Sequence, residues 1–335
     1  MNLPDNHRPI PNPRVGVLLV NLGTPDAPET KAVRRYLAQF LSDTRVIELP
    51  KIAWKPILHG VVLRTRPRKS ARAYKQVWTE QGSPLAAITC RQADALAERL
   101  GPAIIVDHAM RYGNPSIRAG LELLRMAGCE RILAAPLYPQ YCAATTASAH
   151  DAIFAAIAAL RWQPALRTLP AYYDDPLYIG ALKANLERQL AALNFVPDRL
   201  LLSFHGMPQR TLALGDPYHC QCQKTARLLG DALGRDVDIA FQSRFGRAKW
   251  LEPAIDKMFE SYPAQGIGRI AVAAPGFSAD CLETLEEIGI RGRKTFLGAG
   301  GERFARLDCL NDSDEGMEML DALIARELEG WRVEA

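Results

Sequence analysis

Short apolar runs recur along the chain, and the stretches between them carry apolar residues three or four positions apart. The runs are VGVLLVNLG from Val15, AIIVDHAMRY from Ala103, RILAAPLYP from Arg131 and ALRTLPAYY from Ala165, then RLLLSFHG from Arg199, VDIAFQSRFG from Val237, RIAVAAPGF from Arg269 and KTFLGAG from Lys294. Near-continuous apolar runs of this length predict strands buried on both faces, which is the environment of a parallel sheet. The intervening CRQADALAERL, PSIRAGLELLRMAG and TTASAHDAIFAAIAALR have the period of helices. Regular alternation of the two predicts an α/β fold. Four runs fall on each side of about residue 168, so two similar halves are expected, each a four-stranded parallel sheet flanked by helices. PAYYDDPLYIG reads as the linker, and SDEGMEMLDALIARELEGW as an amphipathic helix opened by Ser313 or Asp314 that returns to the first half. The expected domains are 14–168 together with 305–335, and 169–304.

Composition narrows the class. A chain of 335 residues suits two domains of roughly 150 residues each. A formal charge of +4 is too small to imply nucleic acid, though it suits weak attraction to anionic ligands or lipid headgroups. No segment reaches about 18 consecutive apolar residues, and MNLPDNHRPIPNPR lacks the apolar stretch of a signal peptide. The seven cysteines are scattered and read as reduced thiols rather than a disulfide framework. A cytoplasmic protein is expected, with peripheral contact at the inner membrane left open.

A nucleotide site is not expected. The first run ends NLGTPDAP, with Gly23 alone where G-x-G-x-x-G is needed. Gly298, Gly300 and Gly301 follow the last run, but position 303 is Arg, and no phosphate-binding G-x-x-x-x-G-K-[ST] occurs.

The candidate chemistry lies where runs break into loops. In LLLSFHGMPQR, His205 follows a buried-looking strand and precedes Gly206 and Pro208. It projects into a cleft mouth or bonds a neighbouring backbone group. In AVAAPGFSADCLETLEEI, Asp280 stands where a helix can begin, and Glu283 and Glu287 recur at helical spacing on one face with it. Glu286 reads as a solvated acid favoured by the helix dipole. An imidazole and several carboxylates can bind a divalent metal, move protons, or do both. Arg111 and Tyr112, Tyr138 and Tyr141, and Ser243 and Arg244 also fall at strand ends, with Trp250 nearby, and suit an anionic aromatic ligand. Arg64, Arg66, Arg68, Lys69, Arg72 and Lys75 form a basic run, either a solvated helix face or a lip for an acidic partner. HCQC at His219, Cys220 and Cys222 lacks the further ligands a zinc or iron–sulfur site needs.

SFHGMPQR, GDPYHCQC, FQSRFGRAKWLEP and PGFSADCLETLEEI together resemble the ferrochelatase family, as do NLGTPDAP, FLSD, QGSPL, AMRYGNP and PLYPQY in the first half. The resemblance runs from about Val15 to the C-terminal helix. It implies two Rossmann-like domains with a porphyrin cleft between them, and insertion of ferrous iron into protoporphyrin IX. It maps a metal-binding and catalytic histidine onto His205, an essential carboxylate onto Glu283, and an acidic path for metal or protons onto Glu287, on a helix with a widened turn. It sets Arg111, Tyr112, Tyr138, Ser243 and Trp250 near the porphyrin. Cys281 stands where many members have histidine, and Asp26 near where coproporphyrin-using members have tyrosine. The chain ends ELEGWRVEA, without the cysteine-rich extension that carries a [2Fe–2S] cluster in some members, so no cluster is expected. Two rivals share parts of this pattern: a chelatase for another tetrapyrrole, which usually needs more histidines, and a porphyrin carrier, which has no need of the acids.

Overall fold

Among the described residues, eight strands form two parallel sheets of the same topology. β1 (Arg14–Gly23), β2 (Ile104–Tyr112), β3 (Cys129–Pro136) and β4 (Ala165–Thr168) lie in the order β2-β1-β3-β4. β5 (Arg199–His205), β6 (Val237–Gln242), β7 (Arg269–Ala273) and β8 (Arg303–Arg306) lie in the order β6-β5-β7-β8. The computed structural model describes residues 14–246 and 248–331. The N-terminal stretch read for targeting and residues 332–335 of the expected first domain lie outside the described residues.

Side-chain alternation along the strands explains how the halves join. Val15, Val17 and Leu19 of β1 and Leu200, Leu202 and Phe204 of β5 share one buried cluster. Leu18 and Val20 face a second cluster, and Leu201 a third. Successive residues of a strand point to opposite faces, so each sheet turns one face to a common core and one to a core of its own. Helices Pro84–Leu100, Pro176–Ala191, Tyr218–Leu233 and Asp314–Glu327 fill the common core. Ser313 is the N-cap of the last of these, accepting from the Gly316 amide at 3.2 Å. That helix packs on Pro84–Leu100 and Pro176–Ala191. Beyond its end, the Arg167 guanidinium of β4 lies 4.1 Å over the Trp331 ring.

The eighth strand differs from expectation. KTFLGAG lies in the helix Arg293–Gly298 and the turn after it, while β8 is the short RFAR. Phe296 is fully buried beneath that helix, so its apolar residues pack there rather than in the sheet. Gly301 explains the glycines: a Cβ there would lie 2.2 Å from the Phe296 ring, so the turn between helix and strand needs a bare backbone.

In both sheets the chain runs to one side of the first strand and then to the other. That creates a switch point between β1 and β3, and another between β5 and β7, at the carboxyl ends where open α/β sheets hold ligands.

Candidate active site

His205 ends β5 at the second switch point and is half-buried. Its Nδ1 lies 2.7 Å from the Gly206 carbonyl. A carbonyl only accepts, so Nδ1 carries the proton, and Nε2 makes no hydrogen bond among the described residues. The ring thus bonds a neighbouring backbone group through one nitrogen and leaves the other for chemistry. Gly206 is needed for close approach. A Cβ there would meet the Gln242 carbonyl at 2.5 Å and Trp250 at 3.3 Å, whereas the glycine amide donates to that carbonyl at 2.8 Å.

The acids follow β7 on a π-helix, Glu283–Gly292. Its i→i+5 bonding widens the turn and re-aims side chains relative to an α-helix, as such segments often do at functional sites. Glu286 and Arg291, five positions apart, meet at 3.0 Å across this turn. Glu286 is therefore buried and paired rather than solvated. Asp280 also departs from expectation. It accepts from the Thr284 hydroxyl, Arg306 of β8 and Asn311, at 2.7–2.8 Å, so it anchors the loop before the helix instead of capping it or sharing the face of Glu283 and Glu287.

Glu287 is held by the residue that follows β6. The Ser243 amide and hydroxyl donate to its two oxygens at 2.8 and 2.6 Å, with Ser243 in the left-handed region at φ 64°. Glu283 faces the first half. The basic helix Leu63–Val77 packs on the π-helix and exposes Arg64, Arg68, Lys69, Arg72 and Lys75, but turns Arg66 inward. Arg66 lies 5.2 Å over the Phe245 ring; burial lowers its pKa, and Glu283 opposes that. Burial pushes the phenols of Tyr36 and Tyr74 well above the ordinary value, and the Glu283 charge adds to it. Both phenols therefore stay protonated beside the carboxylate. Cys281 sits in an apolar cluster with Leu85, Ile88 and Ala279, and burial, then Glu283, raises its pKa well above that of a free thiol. It packs the base of the site as a neutral thiol.

The remaining expected residues divide into two groups. Arg111 bonds the Ser148 carbonyl and hydroxyl at 2.8 and 2.7 Å and Asp43 at 2.5 Å. Tyr112 is fully buried, with its hydroxyl on Asp43 and Ser148. Burial opposes the Asp43 charge, but hydrogen bonds from Ser148, Tyr112 and the Arg45 amide, with the Arg111 charge, hold its pKa below the ordinary value. Ser243 is likewise occupied, by Glu287. By contrast, the Tyr138 hydroxyl and the Trp250 Nε1 are buried without a hydrogen-bond partner among the described residues. Trp250 packs on Phe245 at 5.0 Å and bridges to Pro208 in the His205 loop.

His219 stacks on Phe241 at 5.7 Å, Cys222 is buried and Cys220 exposed. Among the described residues, no three His, Cys, Asp or Glu side chains form a group that could hold a metal ion. Sequence reasoning passed over Asp43, Tyr36 and Gln242. Gln242 is the one with a signal, a buried polar residue ending an apolar run; its side chain bonds Ser203 and the Glu283 carbonyl.

A profile of the ferrochelatase family matches residues 14–328. The chain is 53% identical to a ferrochelatase of Rhizobium meliloti (strain 1021), over 95% of this chain and 96% of the relative. It is 52% identical to a ferrochelatase of Agrobacterium fabrum (strain C58 / ATCC 33970), over 98% of each. Among solved structures, SirB from Bacillus subtilis with Fe3+ superposes with a TM-score of 0.57 at 11% identity, over 95% of this chain and 97% of that one. CbiX, described as the terminal enzyme for siroheme biosynthesis in denitrifying bacteria, gives 0.54 at 14% identity, over 94% and 100%. At such identities these structures bear on the fold alone, while the profile and the two sequence relatives span nearly the whole chain: it belongs to the ferrochelatase family.

Proposed function

We propose that this chain inserts ferrous iron into protoporphyrin IX, yielding protohaem, in a cleft between a half formed by 14–168 with 305–335 and a half formed by 169–304. The observation that carries the residue assignment is the free Nε2 of His205 at the same switch point as Glu283 and Glu287. Free porphyrin holds two pyrrole protons in the hole the metal must enter, so insertion of Fe(II) releases both. Neutral His205 accepts a pyrrole proton at Nε2, while its Nδ1–H stays on the Gly206 carbonyl and fixes the ring. The same Nε2 contacts the incoming iron only until it takes its proton; Glu283 contacts the iron, and Glu287 passes iron or the second proton along the same helix. Carboxylate oxygens suit this transit because they bind Fe(II) weakly enough to release it. Bending the macrocycle exposes nitrogen lone pairs, a strain that binding energy can support.

Tyr138 and Trp250 bring unpartnered donors to the porphyrin. Arg111, Tyr112 and Ser243 act from behind the wall, their polar atoms already bound within the protein. Asp26, after β1, is held by Asn114 at 2.8 Å and Arg35 at 3.1 Å, and hydrogen bonding from Asn114 helps keep it ionised. An aspartate there, where coproporphyrin-using members carry tyrosine, supports protoporphyrin as the substrate.

Among the described residues no helix is long and apolar enough to cross a membrane. Leu49, Ile52, Ile57 and Val61 are nevertheless exposed, with Ile52 at 90%, beside Lys51, Lys55 and Arg64. This pairing of apolar and basic groups suits peripheral contact with an anionic lipid surface.

The test is anaerobic turnover of protoporphyrin IX with Fe(II), or Zn(II) as surrogate, in His205→Ala and Glu283→Gln. Both variants should fold, bind porphyrin and lose insertion. Near-normal turnover in either contradicts the assignment, and loss of binding rather than turnover in Glu283→Gln points to a carrier.

A further inference from the structure

We infer that Gln242, a residue outside the proposed chemistry, is the positioning residue that sets His205 and Glu283 relative to one another. The inference rests on the roles proposed for those two groups.

Gln242 ends β6 opposite His205 and is wholly buried. Its carbonyl accepts from the Gly206 amide at 2.8 Å, one residue beyond the imidazole. Its side-chain Nε2 donates to the Glu283 backbone carbonyl at 3.2 Å, at the first residue of the π-helix. Its Oε1 accepts from Ser203 at 2.6 Å, and Ser203 lies on β5 two residues before His205 and is also wholly buried. Gln242 thus ties the histidine strand to the glutamate helix through three hydrogen bonds, two from its side-chain amide and one from its backbone carbonyl. The next residue, Ser243, holds Glu287.

The chemistry of the side chain matters. A primary amide donates from one end and accepts at the other, and this position uses both. Glutamate would lose the donor when ionised, and leucine would lose both while nearly keeping the volume. The Glu283 carbonyl and the Ser203 hydroxyl would then lie buried with one partner fewer, and the helix start would be free to shift against β5. Displacements of about 1 Å at a reacting centre cost about a hundredfold in rate.

The experiment compares parent, Gln242→Leu, Ser203→Ala and His205→Ala. It measures kcat and KM for anaerobic insertion, porphyrin Kd by fluorescence quenching, and Tm. In Gln242→Leu, kcat should fall at least about tenfold while Kd stays within about twofold and the protein remains folded at the assay temperature. Ser203→Ala, which frees only Oε1, should show the same split at smaller size. If Gln242→Leu does not fold, Ser203→Ala is judged alone by that split. Parent-like kcat in a folded Gln242→Leu overturns the positioning role, as does a loss of kcat that only tracks a loss of binding or of folded protein. Retained turnover in His205→Ala would instead defeat the underlying assignment, so the two failures are distinguishable.

Discussion

At the scale of single residues, the site depends on which polar atoms the protein uses internally and which it leaves free. His205 spends Nδ1 on a carbonyl and keeps Nε2. Asp43 spends one oxygen on Arg111, Tyr112 and Ser148 together. That buried hub yields a pH prediction. Because the Asp43 pKa is lowered in the folded protein, its stabilising contribution is present above the unfolded carboxyl value and is lost as pH falls through the lower, folded one. Asp43→Asn leaves Arg111 without its counter-charge and should cost about 3–5 kcal/mol near neutral pH. The difference from the parent should shrink as pH drops below roughly 4. Denaturant unfolding of both proteins at several pH values checks this, and a constant gap between neutral and acid pH would exclude the hub.

At the scale of elements, the acidic helix is fixed from below by Asp280 and Arg306, whose side chains are 6% and 20% exposed. Arg306→Leu should destabilise the protein by about 3–5 kcal/mol, since it leaves a buried carboxylate unpaired. Asp280→Asn in the same chain should recover part of that loss. If Arg306→Leu matches the parent in urea, the pair is not an anchor. This element also shows what the sequence makes legible. Seven of the eight strands lie within the expected runs, β1, β3, β5 and β7 because burial on both faces demands continuous apolar residues. β8 does not, since RFAR is a short edge strand with arginine at both ends, while the apolar KTFLGAG packs as helix over Phe296. His205 is visible because a polar side chain ends an apolar strand abruptly, and Glu283 because acids recur at helical spacing after another. The partners of Asp280, Glu286 and Glu287 are not visible from spacing, because they come from across a widened turn or from distant segments. Arg66 was hidden within a run of like charges, where periodicity could not single it out.

At the scale of the molecule, the two sheets share one core through four helices, so the halves should not unfold separately. Circular dichroism and tryptophan fluorescence should report one coincident urea transition. Two separated transitions would mean that the common core is weaker than the two private ones. A separate cluster, which contains Tyr36 and Tyr74 and packs Leu282 against them, sets these first-half groups beside the acidic helix. The most direct test of function is therefore catalytic rather than structural: protoporphyrin IX and Fe(II) mixed anaerobically with parent and His205→Ala, followed by porphyrin absorption. Many turnovers to metalloporphyrin in the parent and none in the variant, with porphyrin binding retained, is the expected result. Equal turnover in the two proteins would show that His205 is not the proton acceptor, and porphyrin binding without turnover in the parent would show that iron insertion is not its reaction.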